Sequence, residues 1–176
     1  GWAQAQALPT DLYHFQDTSS EKISITINGS KTSHKMENGY AVVRRRWKKN
    51  DAVEVNLPMP VQRVYAHEKL KDGLGKVALQ RGPLLYCAEW VDNNGRVANI
   101  LLPKTANFKT EYNPSLLNGI TTVTTQATAI QTEETKVTSG QQTFTAIPYY
   151  AWANRGKGEM MIWFPERISQ VQIISH

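Results

Sequence analysis

The sequence predicts an antiparallel all-β protein, and three observations support this fold class. Apolar and polar residues alternate with period two in short runs such as KISITIN, where Ile23, Ile25 and Ile27 share one face of a strand. No window of about a dozen residues holds apolar residues at i, i+3, i+4 and i+7 while being free of β-branched runs and helix breakers. Turn signals separate the alternating runs. They fall at residues 28–29, 38–39, 72–75, 94–95, 118–119 and 139–140.

Further strand signals lie along the rest of the chain. AVEVNL (52–57) and VQIIS (171–175) repeat the alternation. In KVALQRGPLLYCAE, the triplet Arg81, Gly82 and Pro83 interrupts two apolar runs. Pro83 lacks the N–H that a ladder needs and Gly82 permits a tight bend, so the triplet predicts a structural corner or bulge. The threonine-rich stretch 119–139 predicts a solvated outer strand pair, because threonine is a good strand former.

A division into two domains is expected near WVDNNGR, residues 90–96. Two small antiparallel β-sandwiches of jelly-roll type, 1–92 and 93–176, fit the strand pattern better than one large sandwich. Domains of this size have only marginal cores of their own. We therefore expect them to pack against each other or against a further part of a larger protein.

Composition and charge limit the kinds of partner that the chain is expected to bind. Of the 176 residues 40% are hydrophobic and 20% charged, as in globular proteins. No apolar run reaches the ~20 residues of a membrane-spanning helix, so no membrane partner is expected. Much of the net charge of +5 lies in Arg44–Lys49. On a strand, Arg44 and Arg46 would face away from Arg45 and Trp47. This split disfavours a nucleic-acid partner, which remains a third hypothesis.

No catalytic residue, metal site or cofactor is predicted within the chain. The 15 acidic residues form no recognisable glycosidase carboxylate pair, and the four histidines have no metal-ligand spacing. The single cysteine, Cys87, lies in the apolar run PLLYCAE, where cysteine usually behaves as a small buried hydrophobe. A disulfide framework is impossible with one cysteine.

The segment IPYYAWANRGKGEMMIWF, residues 147–164, is the strongest candidate for a contact surface. Residues 159–164 predict a strand that is apolar on both sides, so both sides should be covered. Tyr149, Tyr150 and Trp152 precede it, and such residues gather at interfaces. Packing between domains is the first interpretation and a sugar-stacking platform is the second. Coplanar, exposed rings would favour sugar binding, whereas buried or tightly packed rings would favour packing. Asn154 and Arg155 would fix the loop or contact sugar hydroxyls.

Two long stretches resemble a known family. GYAVVRRRWKKNDAVEVNLPMPVQRVYAHEKLKDGLGKVALQRGPLLYCAE and IPYYAWANRGKGEMMIWFPE are similar to the C-terminal part of glycoside hydrolase family 127 proteins, the β-L-arabinofuranosidase group. The opening GWA resembles the tail of that family's Ile-Pro-x-Trp strand. The resemblance covers roughly residues 1–92 and 140–165, and the threonine-rich middle matches poorly.

The resemblance implies a non-catalytic role for this chain. In that family an N-terminal (α/α)6 barrel carries a cysteine nucleophile, a zinc ion and a glutamate acid/base, and two β-sandwiches follow it. Cys87 matches the GPLLYC strand of the first sandwich, and not the nucleophile or a zinc ligand. The chain would then support the missing barrel, and its first sandwich would lack the N-terminal strands.

The resemblance also implies a source, a location and a partner. The parent would be an exported bacterial glycosidase, periplasmic or extracellular, that acts on plant arabinose-containing glycans. Its zinc would lie in the barrel. An incomplete first sandwich would also leave an unpaired sheet edge, and such edges recruit partner strands. We therefore expect the chain to form a homodimer, or to swap strands with a second copy, through that edge. The alternative function is a free-standing carbohydrate-binding module that uses the 149–152 region.

Overall fold

The computed structural model describes residues 11–16, 21–133 and 136–171 and confirms an antiparallel all-β fold. Its only helical elements in these ranges are 3-10 turns of three residues, at Lys71–Gly73, Trp90–Asp92, Tyr149–Ala151 and Ile168–Gln170. The strands are β1 Tyr13–Phe15, β2 Ser24–Ile27, β3 Ser30–Lys31, β4 Lys35–Glu37, β5 Tyr40–Val42, β6 Val53–Asn56, β7 Val61–Ala66, β8 Lys76–Arg81, β9 Leu84–Glu89, β10 Ile100–Leu101, β11 Lys109–Asn113, β12 Ile120–Glu133, β13 Lys136–Pro148, β14 Met160–Met161 and β15 Phe164–Pro165.

The main sheet has ten strands in the order β1-β7-β8-β9-β13-β12-β10, with β11 added to β12, β14 to β9 and β15 to β8. Strands β8 and β9 are joined by the two-residue turn Gly82–Pro83, in which Gly82 has a φ of 56°. A positive φ of this kind is reached without steric cost by glycine. The interrupted run of the sequence is therefore a hairpin turn.

Strands β8 and β9 separate at the end of their hairpin that lies away from the Gly82–Pro83 turn. The register of the hairpin pairs Leu79 with Tyr86, and continuing it would place Val77 opposite Ala88. Val77 pairs instead with Phe164, and Ala88 pairs with Met161. Residues 160–165 therefore enter between β8 and β9 and join the two strands where they separate.

The core lies beneath this region. A large cluster of buried side chains contains Tyr86, Phe144 and Phe164. The rings of Phe144 and Phe164 meet edge to face with centroids 4.9 Å apart. A smaller cluster on the other face contains Cys87 and Ile147 and receives Met160 and Ile162. Both faces of the β9–β13 region are thus covered, as expected for strands that are apolar on both sides.

Two small sheets precede the main one. Strands β3-β2-β6 form one and β4-β5 the other. In β2, Ile25 and Ile27 are buried as the alternation predicts. Val53 and Val55 of β6 lie directly across from them, yet both are half-exposed. Because β6 is an edge strand of its sheet, this part of the described chain presents an uncovered apolar strip.

The structure corrects three local predictions. The threonine-rich stretch forms β12 and β13, and β13 is central in the main sheet because it lies between β9 and β12. The strand predicted over 159–164 is broken at 162–163, which puts Phe164 in the same cluster as Met161. Arg44–Lys49 lies in an irregular segment, so strand alternation does not separate its charges.

Other predictions concern residues outside the described ranges or remain untested. The GWA opening and almost all of VQIIS lie beyond the described residues. The division at 92/93 stays a prediction, and pairing between β9 and β13 carries the main sheet across that position. Among the described residues, no helix is long and apolar enough to cross a membrane.

Candidate functional site

The aromatic segment leaves the sheet at the end of β13. Pro148 ends the strand, Tyr149–Ala151 form a 3-10 turn, and Trp152 continues in an extended conformation. Ala153 then has a φ of 65°, a left-handed conformation that is unusual for a residue with a Cβ. Such strain persists where surrounding contacts fix the backbone. The contacts that do so here come from Glu89 and its neighbours.

Arg155 is the centre of those contacts. Its Nη1 donates to Asp92 Oδ1 at 2.7 Å, its Nε donates to Glu89 Oε2 at 3.1 Å, and its Nη2 bridges both carboxylates. The second oxygen of Glu89 accepts the backbone N–H of Ala153 at 3.0 Å. Burial alone would lower the pKa of Arg155, but hydrogen bonds and charge from Asp92 and Glu89 outweigh it and raise the pKa. Arg155 is therefore a permanent cation that joins the loop to the end of β9.

Trp90 supports the second half of the loop. Its backbone N–H donates to the carbonyl of Glu159 at 3.0 Å, and its indole lies against Gly158. A Cβ on Gly158 would overlap the indole Cδ1 and Nε1, so only glycine permits this approach. Asn154 completes the loop by donating to the carbonyls of Ala151 and Trp152. The loop is thus fixed at several points along its length.

The rings carried by this loop face outward. Tyr149 and Trp152 are each 38% exposed and Tyr150 is 66% exposed. Tyr149 and Trp152 stack on each other with centroids 5.9 Å apart and an interplanar angle of 18°. The two rings therefore use one face on each other and do not lie side by side as a flat platform. The exposure that favours sugar binding is thus present without the coplanar arrangement, and the three rings are not buried as packing within this chain would require. Large rings that remain exposed on a fixed loop indicate a contact surface.

Other residues singled out in the sequence have structural surroundings. Arg81 contacts Met59 Sδ at 4.0 Å through Nη1, while its Nε is buried without a hydrogen-bond partner in the described part of the chain. Cys87 is fully buried, and burial raises its pKa to about 12, with a further contribution from the Glu89 charge. A thiol with that pKa is not a nucleophile near neutral pH.

The described residues contain no group of three or more His, Cys, Asp or Glu side chains placed to share a metal ion. In the basic segment, Arg44 pairs with Glu37 at 3.3 Å and Arg45 pairs with Asp51 at 3.4 Å. Arg45 also lies over the ring of Trp47. These acidic partners neutralise part of the charge that the sequence shows.

Sequence reasoning selected Arg155 but missed its partners. Glu89 and Asp92 lie 66 and 63 residues before Arg155 along the chain, so no local pattern joins them. One signal was available. Glu89 ends an apolar run, CAE, and an acid in such a position needs a cation or several donors once it is buried.

Comparison with known proteins places the chain in a family. Residues 61–165 match the family model "Glycoside hydrolase family 127 C-terminal domain". Residues 2–59 match "Beta-L-arabinofuranosidase, GH127 middle domain". The chain belongs to glycoside hydrolase family 127. The two matches meet near residue 60, between β6 and β7, whereas the sequence analysis placed its division at 92/93.

Similar family 127 proteins are much longer. The chain is 33% identical over 157 residues to a non-reducing end β-L-arabinofuranosidase of Bifidobacterium longum, a match that covers 80% of this chain and 23% of that protein. A solved GH127 β-arabinofuranosidase structure is 39% identical, with a TM-score of 0.90 over 98% of this chain and 27% of the other. The GH127 β-L-arabinofuranosidase of Geobacillus stearothermophilus T6 is 39% identical, with a TM-score of 0.72, and is covered to 25%.

The chain therefore spans about a quarter of the length of these relatives and corresponds to the middle and C-terminal domains of family 127. The resemblance stated from the sequence is confirmed, but its limits were too narrow, because the match over 61–165 includes the threonine-rich stretch that was expected to match poorly. The assignment of this chain to a partial, β-rich portion of such a protein is confirmed as well.

Proposed function

We propose that this chain supports the catalytic part of a bacterial β-L-arabinofuranosidase and contributes no catalytic residue of its own. The exposed rings of Tyr149, Tyr150 and Trp152 would pack against that catalytic part. The single observation that carries this proposal is the combination of exposed rings with a fixed loop. A loop that is already ordered loses little entropy on docking, so its apolar area contributes more fully to association.

The charged residues beneath the rings fit the same role. Arg155, Glu89 and Asp92 satisfy one another, and their side chains are only 16%, 5% and 17% exposed. A group that is this fully paired has little capacity left to bind a sugar hydroxyl. Arg155 is therefore proposed to position the loop and not to contact a ligand.

Direct carbohydrate contact is the second candidate. Its support is Tyr150, whose ring is the most exposed of the three. Aromatic rings with a free face stack on the apolar side of sugars through the same contacts that make them interface residues. In this case Tyr150 would contact an arabinose-containing glycan at the edge of the substrate cleft.

A chimera tests both candidates. The matching quarter of the Geobacillus stearothermophilus relative would be replaced by this chain, and Trp152→Ala and Tyr150→Ala would be made in the chimera and in the isolated chain. If the rings dock, each substitution lowers the melting temperature of the chimera by several degrees more than that of the isolated chain. If they contact substrate, KM for arabinofuranosides rises and melting is unchanged. Equal melting shifts in both proteins would refute docking.

Three expectations stay proposals. The cysteine nucleophile and the zinc of a parent enzyme would lie in its catalytic part, the parent would act in carbohydrate metabolism, and it would be exported to the periplasm or the medium. A nucleic-acid partner is not expected. Retention of the chain on a polyanion column that falls steeply with salt would contradict this.

A further inference from the structure

A polar cavity of about 360 Å³ lies between the turn after Asp92 and the β12–β13 hairpin. Its described lining consists of asparagine, glutamine, threonine and one arginine, with no acidic residue and no aromatic ring. Its volume is near the lower end of the range of small-molecule sites. None of the exposed aromatic residues contributes to it, so a role for the cavity is independent of the proposed docking function.

Four of the lining side chains carry buried polar atoms that have no hydrogen-bond partner among the described residues. These atoms are Arg96 Nε and Nη2, Asn99 Oδ1, Thr132 Oγ1 and Gln142 Nε2. Elsewhere in the described ranges only Arg81 and Gln170 have such atoms. Buried polar groups are nearly always paired, so their concentration around one cavity points to a polar occupant.

Asn99 is the most informative member of this group. It is only 8% exposed, and its Nδ2 donates to the carbonyl of Ile130 at 3.1 Å. That bond fixes the orientation of the amide and leaves Oδ1 as an acceptor without a donor. Gln142 is fixed in the opposite sense, because its Oε1 accepts from Asn94 Nδ2 at 3.3 Å and its Nε2 is left unpaired.

Arg96 adds the charge of the site. Its Nε lies 3.5 Å from Glu159 Oε1, an ion pair that is not aligned as a hydrogen bond, and Nη2 has no partner among the described residues. Glu159 is itself occupied, because its Oε2 accepts the backbone N–H groups of Val97 and Ala98 at 2.8 and 3.0 Å. The guanidinium is therefore held beside the cavity, and its Nε and Nη2 donors are available to a ligand.

The hydrogen-bond donors and acceptors around the cavity indicate which chemical class of ligand it can bind. Arg96 and Gln142 offer donors, Asn99 offers an acceptor, and the Thr132 hydroxyl can do either. A carboxylate only accepts, so it would leave Asn99 Oδ1 unpaired, and a phosphate ion near neutral pH has at most one or two O–H donors and carries a negative charge. A sugar hydroxyl donates and accepts at once. We propose that this cavity is a binding site for a neutral, hydroxyl-rich saccharide of one or two residues.

The turn that carries the site is rigid. Asn93 is almost fully buried, and its amide donates to the carbonyls of Glu89 and Thr145 and accepts the Thr145 N–H. This holds the turn against β13 and sets the position of Arg96 three residues later. The cavity wall is therefore preorganised, which lowers the entropic cost of binding a small ligand.

The test is an NMR titration of the isotope-labelled chain with L-arabinose and, separately, with inorganic phosphate. We expect saturable shifts with L-arabinose at residues 93–99, 131–132 and 142, with an affinity of about millimolar strength. Thr132→Val removes one hydroxyl at constant shape and should weaken binding about 2- to 10-fold. Arg96→Met should weaken it further. Thr124→Val is the matched control, a half-buried threonine of β12 outside the cavity.

Each outcome decides the proposal. Shifts at the cavity that weaken in Thr132→Val and persist in Thr124→Val support it. Shifts with phosphate alone would make the cavity an anion site and overturn it. Absence of shifts with L-arabinose, or shifts that Thr132→Val leaves unchanged, would also overturn it, since ordered water would then suffice to pair these atoms. The amide spectra of the variants show directly whether each remains folded.

Discussion

Replacing Arg155 by methionine should destabilise the chain strongly. The substitution keeps much of the apolar stem but leaves the Glu89 and Asp92 carboxylates without their cation. Removing one partner of a buried ion pair costs about 3–5 kcal/mol. Asp92 is 17% exposed and can recover some hydration, whereas Glu89 is only 5% exposed. We therefore expect a loss near the lower end, about 3 kcal/mol.

Urea unfolding followed by tryptophan fluorescence measures this loss. With a slope of about 2 kcal/mol per molar, the midpoint should fall by about 1.5 M. Lys157→Met is the matched control, because Lys157 is an exposed residue of the same loop and should change stability by less than about 0.5 kcal/mol. Arg155→Lys should fall between the two, since it keeps the charge but loses the planar fork.

A double variant separates the cost of leaving the Glu89 carboxylate unpaired from the cost of lost packing. Adding Glu89→Gln to Arg155→Met removes the buried carboxylate that the single variant leaves unpaired. The pair should therefore be more stable than the sum of the two single changes predicts. A loss for Arg155→Met no larger than that for Lys157→Met, or strict additivity in the double variant, would refute the view that this ion cluster fixes the loop.

Four further outcomes are expected. Gly158→Ala should lower the melting temperature because its Cβ overlaps the Trp90 indole, whereas Gly140→Ala meets open space and should not; equal effects would contradict this packing. The Cys87 thiol, whose pKa burial raises to about 12, should react with Ellman's reagent only as the chain unfolds, and prompt labelling would contradict its burial. Burial raises the pKa of Glu159, but hydrogen bonds from Ala98 and Val97 and the Arg96 charge lower it overall. The ionised carboxylate therefore stabilises the fold at pH values above 4.5, the ordinary pKa of the group. That stability is lost as pH falls through the folded-state pKa, and the advantage over Glu159→Gln in unfolding experiments should shrink below pH 4.5. Small-angle scattering should show mass rising with concentration, with Val55→Lys on edge strand β6 restoring the monomer; a wild-type monomer at every concentration would contradict pairing through that edge.

Local pattern correctly predicted which faces of two strands are buried. Ile25 and Ile27 are buried as their alternation predicts, and the run around Cys87 is covered on both sides. The same rule misplaced the threonine-rich strands. Threonine suits both a solvated and a half-buried strand. The buried positions Val123 and Ala127 are set by the central place of β12 and β13 in the sheet, which no local pattern encodes.

The break in the 159–164 strand has a similar cause. Alternation describes a strand that keeps one set of neighbours, but this segment pairs first with β9 and then with β8. Changing partners rotates the chain, so Phe164 enters the cluster of Met161 instead of that of Met160 and Ile162. Which two strands separate to let a third segment pair between them depends on contacts that are distant along the chain. The local pattern of residues 159–164 therefore does not predict it.

The turn from Glu89 to Arg96 shows why a tightly hydrogen-bonded turn can have the composition of a linker between domains. Its composition, with Asn93, Asn94 and Gly95 in succession, is that of a connection between units. In the fold its residues hold the aromatic loop, support Gly158, attach to β13 and line the polar cavity. Asparagine and glycine are selected at both kinds of place for one reason. They tolerate left-handed backbone, and asparagine also pairs with nearby main-chain groups, so a tightly bonded turn and a linker have the same composition. Only the partners, more than fifty residues away for Thr145, distinguish the two.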